Sequence, residues 1–190
     1  MRRLGRQLRE GEREEYLSAW DKIRDLPGFH EESARSDTSF DANRDLTIGW
    51  MTRVGVASDL AEASWALNAE PATWPVFSDA AKVVAGIRER GCKTALVSNF
   101  HVDVQPHLEA NGVVLDAAVI SFELGLQKPD ARMFTTALAR IDVSPEDALM
   151  VGDRLDLDGG AAAAGIDTLL LPVPPADGPR GLDVILGMLG

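Results

Sequence analysis

The sequence has almost none of the features that mark secreted or membrane-spanning proteins. Its 190 residues include a single cysteine, Cys92, which excludes an internal disulfide and is typical of a protein from a reducing compartment. No apolar run approaches the roughly 20 residues of a transmembrane helix, and the basic residues 1–6 are not followed by the apolar stretch of a secretory signal. These absences predict a cytoplasmic protein with no membrane partner.

The sequence also contains few basic residues relative to its acidic ones. The 19 lysine and arginine residues face 30 aspartate and glutamate residues, so the formal net charge is −11. Because nucleic acids and anionic lipid surfaces attract basic proteins, this balance predicts no nucleic-acid partner. The three histidines, His30, His101 and His107, share no metal-ligand spacing on one predicted element. His101 could approach a site near Asn99, but we interpret it as a surface residue at the start of a helix.

The periodicity of the apolar residues changes near residue 75 and predicts two regions. Residues 1–75 have helical periodicity and predict a small helical bundle, with residues 31–44 as a polar loop. The core of this bundle is expected to take all four tryptophans, which are Trp20, Trp50, Trp65 and Trp74. In residues 76–190, short apolar segments alternate with helical ones.

The second region predicts an α/β fold. Strands are expected at residues 93–97, 117–120, 148–151 and 168–171, with Pro129 as the first residue of a helix between the second and the third strand. Short apolar strands joined by helices imply right-handed crossovers and a parallel sheet that is buried on both faces. In an open parallel sheet, ligands bind beyond the carboxyl ends of the strands, so functional residues are expected there.

Three polar motifs fall at such strand ends. Ser98 and Asn99 follow the first predicted strand, where the Ser98 hydroxyl and nearby amides can cradle a phosphate oxygen, although Ser-Asn is also ordinary helix-cap chemistry. Lys128 could neutralise a phosphoryl group, although most such lysines are solvated. Asp153 follows the third strand after Gly152 and is poorly solvated there unless a cation or hydrogen-bond donors meet it. Asp158 either braces this site or interacts with the dipole of the next helix.

The order and spacing of these motifs resemble the haloacid dehalogenase (HAD) superfamily. The residues that look like its second, third and fourth motifs are, in that order, Ser98-Asn99, Lys128 and Gly152-Asp153 with Asp158. The resemblance covers residues 75–172. It implies a Rossmann-like α/β core with a parallel sheet in residues 76–190, and an N-terminal helical cap in residues 1–75.

The resemblance also implies a chemistry. The dehalogenase branch of the family does not carry the Gly-Asp metal ligand, so its presence favours the magnesium-dependent phosphatase branch. In such an enzyme Asp153 would bind Mg²⁺. Ser98, Asn99 and Lys128 would hold the phosphate, and Lys128 and Asp158 would take catalytic roles. The expected partner is a small phosphorylated metabolite.

One motif of the family is missing from the sequence. In the family, the nucleophile and the general acid–base lie in an Asp-x-Asp-x-Thr/Val motif on the first strand, which the resemblance would place upstream of Leu4. The Asp-x-Asp pair of the 190 residues, Asp156 and Asp158, already belongs to the fourth motif. We therefore expect the first, central strand of the sheet to be missing between the strands that end at Val97 and Val151.

Three explanations stay open. The polypeptide could begin upstream, so that the 190 residues are a truncated form. A second copy could supply a strand in a homodimer. Alternatively, the sheet could be rearranged in a pseudoenzyme that no longer performs the reaction. By lineage we predict a magnesium-dependent phosphatase acting on a small phosphate ester, with negligible hydrolysis by the 190 residues alone. The alternative is a catalytically inactive binding or assembly module.

Overall fold

The computed structural model describes residues 7–173 and 179–189, so the basic segment 1–6 lies outside the described residues. The first part, called here the helical region (residues 7–75), is built from helices. Its α-helices are α1 (Glu12–Arg24), α2 (Phe29–Ser33), α3 (Phe40–Arg53) and α4 (Ser58–Asn68), and 3-10 helices span Ser36–Thr38 and Pro71–Thr73. No helix within the described ranges is both long enough and apolar enough to cross a membrane.

The tryptophans do not share one core, contrary to the sequence prediction. Trp50 is 3% exposed and lies in a buried cluster with Ile23, and Trp20 packs against that cluster. Trp65 is buried in a different contact, at the boundary with the second part of the chain, and Trp74 is 43% exposed. Apolar periodicity identifies the face of a helix that is covered, but it does not identify which element covers it.

Residues 31–44 are largely helical, and the predicted loop is wrong. They include most of α2, a short 3-10 helix and the first turn of α3. The polar side chains bond locally to the backbone: Ala42 N donates to Ser39 Oγ at 3.1 Å, as at a helix N-cap, and Ser36 Oγ donates to Ser33 O at 3.1 Å. Such bonds stabilise short helices without an apolar pattern, which is why the sequence analysis missed them.

The second part, called here the α/β region (residues 76–173 and 179–189), confirms the predicted α/β class. Its strands are β1 (Ala95–Ser98), β2 (Ala117–Ile120), β3 (Leu149–Gly152) and β4 (Asp167–Leu170). Its α-helices are α5 (Ala80–Glu89), α6 (Gln105–Ala110), α7 (Ser121–Leu124), α8 (Ala131–Ile141), α9 (Leu155–Asp158) and α10 (Asp183–Met188), with 3-10 helices at Pro145–Asp147 and Gly159–Ala164. The boundary between the two regions as domains stays a prediction.

The strands form two parallel pairs. β1 pairs with β2, with Ala95 opposite Ala117, and β3 pairs with β4, with Leu149 opposite Asp167. In the part of the chain that the structure describes, no strand bonds to both β1 and β3. The sheet is therefore divided at the position where the sequence analysis expects a strand to be missing.

Helix α8 packs against both strand pairs. Val119 of β2 lies in one buried cluster with α8, and side chains of β1 and β3 pack on the same cluster. The α8 residues of the cluster are Met133, Phe134, Ala137 and Leu138. Because burying one large apolar side chain stabilises the fold by about 1.5–3 kcal/mol, this helix holds the two pairs in one core.

The two strand pairs differ in burial. β2 is buried along its whole length, whereas Leu149 of β3 and Leu170 of β4 are 39% and 38% exposed. The predicted burial on both faces is therefore wrong for the second pair.

Helix α8 begins at Ala131 and not at Pro129. Asp130 is its N-cap and accepts a hydrogen bond from Arg132 N at 2.9 Å. Hydrogen bonds from the side chain and the backbone of Arg132 lower the pKa of Asp130 to about 2. Pro129 follows a cis peptide bond with Lys128 and precedes the cap. The prediction relied on the preference of proline for the first helical position, whereas the capping aspartate defines the start.

Candidate functional site

The predicted site residues lie at the carboxyl ends of β1 and β3. Ser98 is the last residue of β1 and is half-buried, and Asp153 follows the last residue of β3. Lys128 links the two ends because it contacts both Asn99 and Asp158. The structure thus brings residues from three separate stretches of the chain to one edge of the fold, where ligands of parallel sheets bind.

The side chain of Asn99 fixes the loop that carries Lys128. Lys128 N donates to Asn99 Oδ1 at 2.7 Å, and Asn99 Nδ2 donates to Lys128 O at 3.1 Å. Both polar ends of the amide therefore bond to the backbone of one residue, so the position of Lys128 is set relative to β1.

Lys128 and Asp158 form a buried ion pair. Lys128 Nζ lies 2.6 Å from Asp158 Oδ1, and the two side chains are 12% and 4% exposed. Burial by itself would raise the pKa of Asp158. The hydrogen bond from Lys128 and those from the amides of Arg154 and Asp153 outweigh it and hold the pKa below that of an ordinary aspartate. At neutral pH the site therefore contains a fixed ammonium group beside a fixed carboxylate.

Asp158 folds back over the end of β3. Its Oδ2 accepts hydrogen bonds from the backbone N of Asp153 at 2.9 Å and of Arg154 at 3.0 Å. Residue 152 must be a glycine for this arrangement, because a Cβ on Gly152 would lie 2.1 Å from Asp158 Oδ2. Both carboxylate oxygens have partners within the chain, which favours the bracing role over a simple interaction with a helix dipole.

Arg180, which the sequence analysis did not single out, faces Asp153. Its Nη2 lies 3.6 Å from Asp153 Oδ2. The guanidinium also donates to the carbonyl oxygens of Pro172 at 2.8 Å, Gly152 at 3.2 Å and Leu171 at 3.3 Å. With a side chain that is 8% exposed, Arg180 is a second buried cation at the carboxyl end of β3.

Asp79, at the start of α5, holds Arg180 in this position. Its carboxylate accepts hydrogen bonds from the backbone N of Arg180 at 2.9 Å, Gly181 at 2.8 Å and Leu182 at 3.0 Å. Burial alone would raise the pKa of Asp79, but these three hydrogen bonds outweigh it and lower the pKa. No local pattern marks the contact between Asp79 and residues 180–182, because it joins two distant parts of the sequence.

The carboxylates at this site fit a magnesium ion only if a bound ligand supplies further oxygen atoms to the ion. Within residues 7–173 and 179–189, no group of three or more His, Cys, Asp or Glu side chains is arranged to hold a metal ion. At the site, the Asp153 side chain is 36% exposed, whereas both oxygens of Asp158 are bonded within the chain. Mg²⁺ is commonly bound through one or two carboxylates together with substrate phosphate oxygens and water. Asp153 fits such a site as its protein carboxylate.

The helical region contacts the loops that carry the site. Ser121 Oγ accepts from Phe100 N at 2.9 Å and donates to Asp37 O at 2.6 Å. Gln127 Nε2 donates to Ser33 O at 3.0 Å, and Asp37 N donates to Gln127 Oε1 at 3.2 Å. Because Phe100 and Gln127 each adjoin a predicted site residue, these bonds couple the position of the helical region to the site.

His101 is buried in this contact, and the predicted surface position is wrong. It is 5% exposed, and its ring stacks on Phe100 with a centroid distance of 5.1 Å. The rings of Trp65 and Phe40, from the helical region, lie 6.3 Å and 6.5 Å away. Nδ1 of His101 lies 3.6 Å from Asp37 Oδ1. No sequence signal marks this burial, because the covering residues come from a separate region of the chain.

Comparison with known proteins places these features in a family. The sequence profile of the family described as haloacid dehalogenase-like hydrolase matches residues 12–165. The chain is 34% identical over 136 residues to the ribulose-1,5-bisphosphate 5-phosphatase of Halopiger xanaduensis, covering 69% of this chain and 56% of the relative. It is 35% identical over 132 residues to the phosphoserine phosphatase of Thermus thermophilus, covering 65% and 52%. The chain thus spans about half the length of these curated relatives.

Solved structures have the same fold. The HAD-hydrolase YfnB of Bacillus subtilis, in a magnesium-bound structure, has a TM-score of 0.67 at 18% identity, with 96% of this chain and 84% of that chain covered. A dehalogenase structure with an intermediate complex has a TM-score of 0.62 at 19% identity, with 90% and 89% covered. The profile match includes both the helical region and most of the α/β region. On this ground, the chain belongs to the haloacid dehalogenase-like hydrolase family.

Proposed function

We propose that this chain carries the phosphate-binding and metal-binding part of a magnesium-dependent phosphatase that acts on a small phosphate ester. The observation that supports this most directly is the connected cluster of Asn99, Lys128, Asp158 and Asp153 at the carboxyl ends of β1 and β3. It combines a fixed ammonium group with a partly exposed carboxylate. Such a set suits the oxygens of a phosphoryl group together with a divalent cation.

Each residue has a distinct role in the proposal. Asp153 would supply a carboxylate ligand to Mg²⁺, which when bound neutralises charge on the transferring phosphoryl group. The Ser98 hydroxyl and the backbone amide of Asn99 would hold phosphate oxygens. Lys128 would stabilise the negative charge on the phosphoryl group, and Asp158 would keep the ammonium group in place.

The proposed substrate class is a small phosphorylated metabolite. The two curated relatives are named for ribulose-1,5-bisphosphate and for phosphoserine, and both compounds are small phosphate esters. The net charge of −11 favours a partner that is recognised locally, by Lys128 and a metal ion, over an extended polyanion such as a nucleic acid. The cytoplasmic location stays a prediction from the single cysteine.

We expect the 190-residue chain alone to release negligible phosphate from small phosphate esters in the presence of Mg²⁺. Its Asp-x-Asp pair is engaged, because Asp158 is bound to Lys128 and Asp156 is paired with Arg154 through two hydrogen bonds. A malachite-green phosphate-release assay measures this beside a version extended at its N-terminus by the upstream reading frame. An aspartate on the added segment could form an aspartyl-phosphate that water then hydrolyses.

Activity in the extended form alone would support the phosphatase. Robust turnover by the 190-residue chain that disappears in Asp153→Asn would contradict the expectation of inactivity. No activity in either form, with both folded, would favour a catalytically inactive binding or assembly module. That module would show a higher melting temperature with a phosphorylated ligand that is not consumed. A homodimer in which a second copy supplies the missing strand also stays an alternative explanation of the divided sheet.

Mg²⁺ is expected to raise the melting temperature of the chain through Asp153. At ten times its dissociation constant, the ion would stabilise the folded state by about 1.4 kcal/mol, which for a chain of this size is a shift of a few degrees. Asp153→Asn is expected to abolish the shift, which differential scanning fluorimetry measures. The control Asp156→Asn removes an equal charge from an exposed side chain of the neighbouring helix α9 and is expected to keep the shift. Equal shifts in both variants would exclude Asp153 as the ligand.

A further inference from the structure

His101 has one polar atom without a partner. Among the side chains that the structure describes, His101 Nε2 is the buried nitrogen or oxygen atom that makes no hydrogen bond. Native proteins satisfy the large majority of buried polar groups, because an unpaired group keeps the cost of leaving water without compensation. A fixed, buried and unpaired ring nitrogen beside a predicted phosphate loop therefore calls for a functional explanation.

The other ring nitrogen of His101, Nδ1, faces a series of connected polar side chains. Trp65 Nε1 donates to Asn43 Oδ1 at 2.8 Å, Asn43 Nδ2 donates to Asp37 Oδ1 at 2.9 Å, and the same oxygen lies 3.6 Å from His101 Nδ1. The backbone of Asp37 is itself bonded to Ser121 and Gln127. Asp37 lies opposite Nδ1, so Nε2 is the ring nitrogen that stays available, and a hydroxyl group can pair with it because a hydroxyl both donates and accepts hydrogen bonds.

His101 is also close in the chain to the predicted phosphate-binding residue Ser98. It is three residues beyond Ser98, so the two Cα atoms are at most about 11 Å apart. The rings that surround it, Phe100 from the site loop and Phe40 and Trp65 from the helical region, come from both sides of the contact. A substrate group that contacts Nε2 must therefore lie at this contact between the helical region and the site loop.

We propose that His101 is a specificity-determining residue whose Nε2 forms a hydrogen bond with a hydroxyl group of the substrate. The substrate class is then a phosphate ester that carries a hydroxyl group on a short carbon chain. The inference rests on the proposed function, because it takes the phosphoryl group to lie at Ser98 and Lys128. A site that bonds a substrate hydroxyl discriminates strongly against an analogue without one, since the buried ring nitrogen is then left unpaired.

The test compares three probes by isothermal titration calorimetry on the 190-residue chain: inorganic phosphate, glycerol 3-phosphate and propyl phosphate. The two esters have the same charge and chain length and differ in their hydroxyl groups. We expect glycerol 3-phosphate to bind at least about tenfold more tightly than propyl phosphate. His101→Phe is expected to reduce this ratio to below about twofold and to leave the affinity for inorganic phosphate unchanged. The control His30→Phe, at an exposed histidine, is expected to keep the ratio.

Two results would overturn the inference while leaving the proposed function intact: equal binding of the two esters by the unchanged chain, or a tenfold preference that persists in His101→Phe. Binding of none of the three probes would contradict the proposed phosphate site and the inference with it. If His101→Phe does not fold, the NMR signal of the His101 ring is measured in the unchanged chain instead. That signal is expected to shift with glycerol 3-phosphate and not with propyl phosphate, and equal shifts would overturn the inference.

Discussion

Replacing Asp158 with alanine is expected to lower the free energy of unfolding by about 3–5 kcal/mol, because removing one partner of a buried ion pair leaves the other charge uncompensated. The remaining charge is Lys128, whose side chain is 12% exposed. The backbone amides of Asp153 and Arg154 also lose their acceptor. Urea-induced unfolding followed by tryptophan fluorescence measures the change.

Two further variants separate the ion pair from other causes. Asp156→Ala removes a carboxylate that is 63% exposed from the same short helix, and exposed pairs of this kind contribute at most about 1 kcal/mol. Adding Lys128→Met to Asp158→Ala is expected to recover part of the loss, because no unpaired charge then remains buried. A loss in Asp156→Ala as large as that in Asp158→Ala would show that the helix, and not the ion pair, carries the effect.

The same pair predicts a loss of stability in acid. The pKa of Asp158 in the folded chain lies below its ordinary value, so its contribution to stability is complete above the unfolded-state pKa and is lost as the pH falls through the folded-state pKa. The stability difference between the unchanged chain and Asp158→Ala is therefore expected to stay constant from neutral pH to about pH 5 and to shrink below about pH 4. A difference that shrinks between pH 8 and pH 6 would contradict this assignment.

Gly160→Ala is the second change with a large expected effect, a loss of about 3 kcal/mol, because overpacking against backbone cannot be relieved by a rotamer change. A Cβ on Gly160 would lie 2.5 Å from Pro129 O and 2.9 Å from Pro129 Cα. The backbone that must move carries Lys128, so the affinity for inorganic phosphate is expected to fall as well. Urea-induced unfolding and calorimetry with phosphate measure the two effects.

Gly49→Ala is the matched control for that substitution. Gly49 lies inside α3, and a Cβ there would meet nothing within 4 Å. Because alanine is the better helix former, this change is expected to raise stability by about 0.5–1 kcal/mol. A Gly160→Ala variant as stable as the unchanged chain would contradict the close packing between the 3-10 helix Gly159–Ala164 and the Lys128 loop.

Local elements of the fold could be predicted because they depend on short-range patterns. The predicted strands match the observed ones to within two residues, and the helix predicted between the second and third strands is present as α8. The helices within residues 31–44 were missed because their capping bonds leave no apolar period. The start of α8 was misplaced because Pro129 and the capping Asp130, which are adjacent, each signal a helix start.

By itself, the sequence determined the α/β class, the order of the site residues and the strand ends that they follow. These depend on local periodicity and on the common edge at which parallel strands end. Only the tertiary structure decided that Asp158 holds Lys128, that Arg180 faces Asp153, and that His101 is buried beneath the helical region. Each of these contacts joins residues that are distant in the chain. Which distant side chains meet is decided by the packing of the whole molecule, and no periodic pattern in the sequence records it.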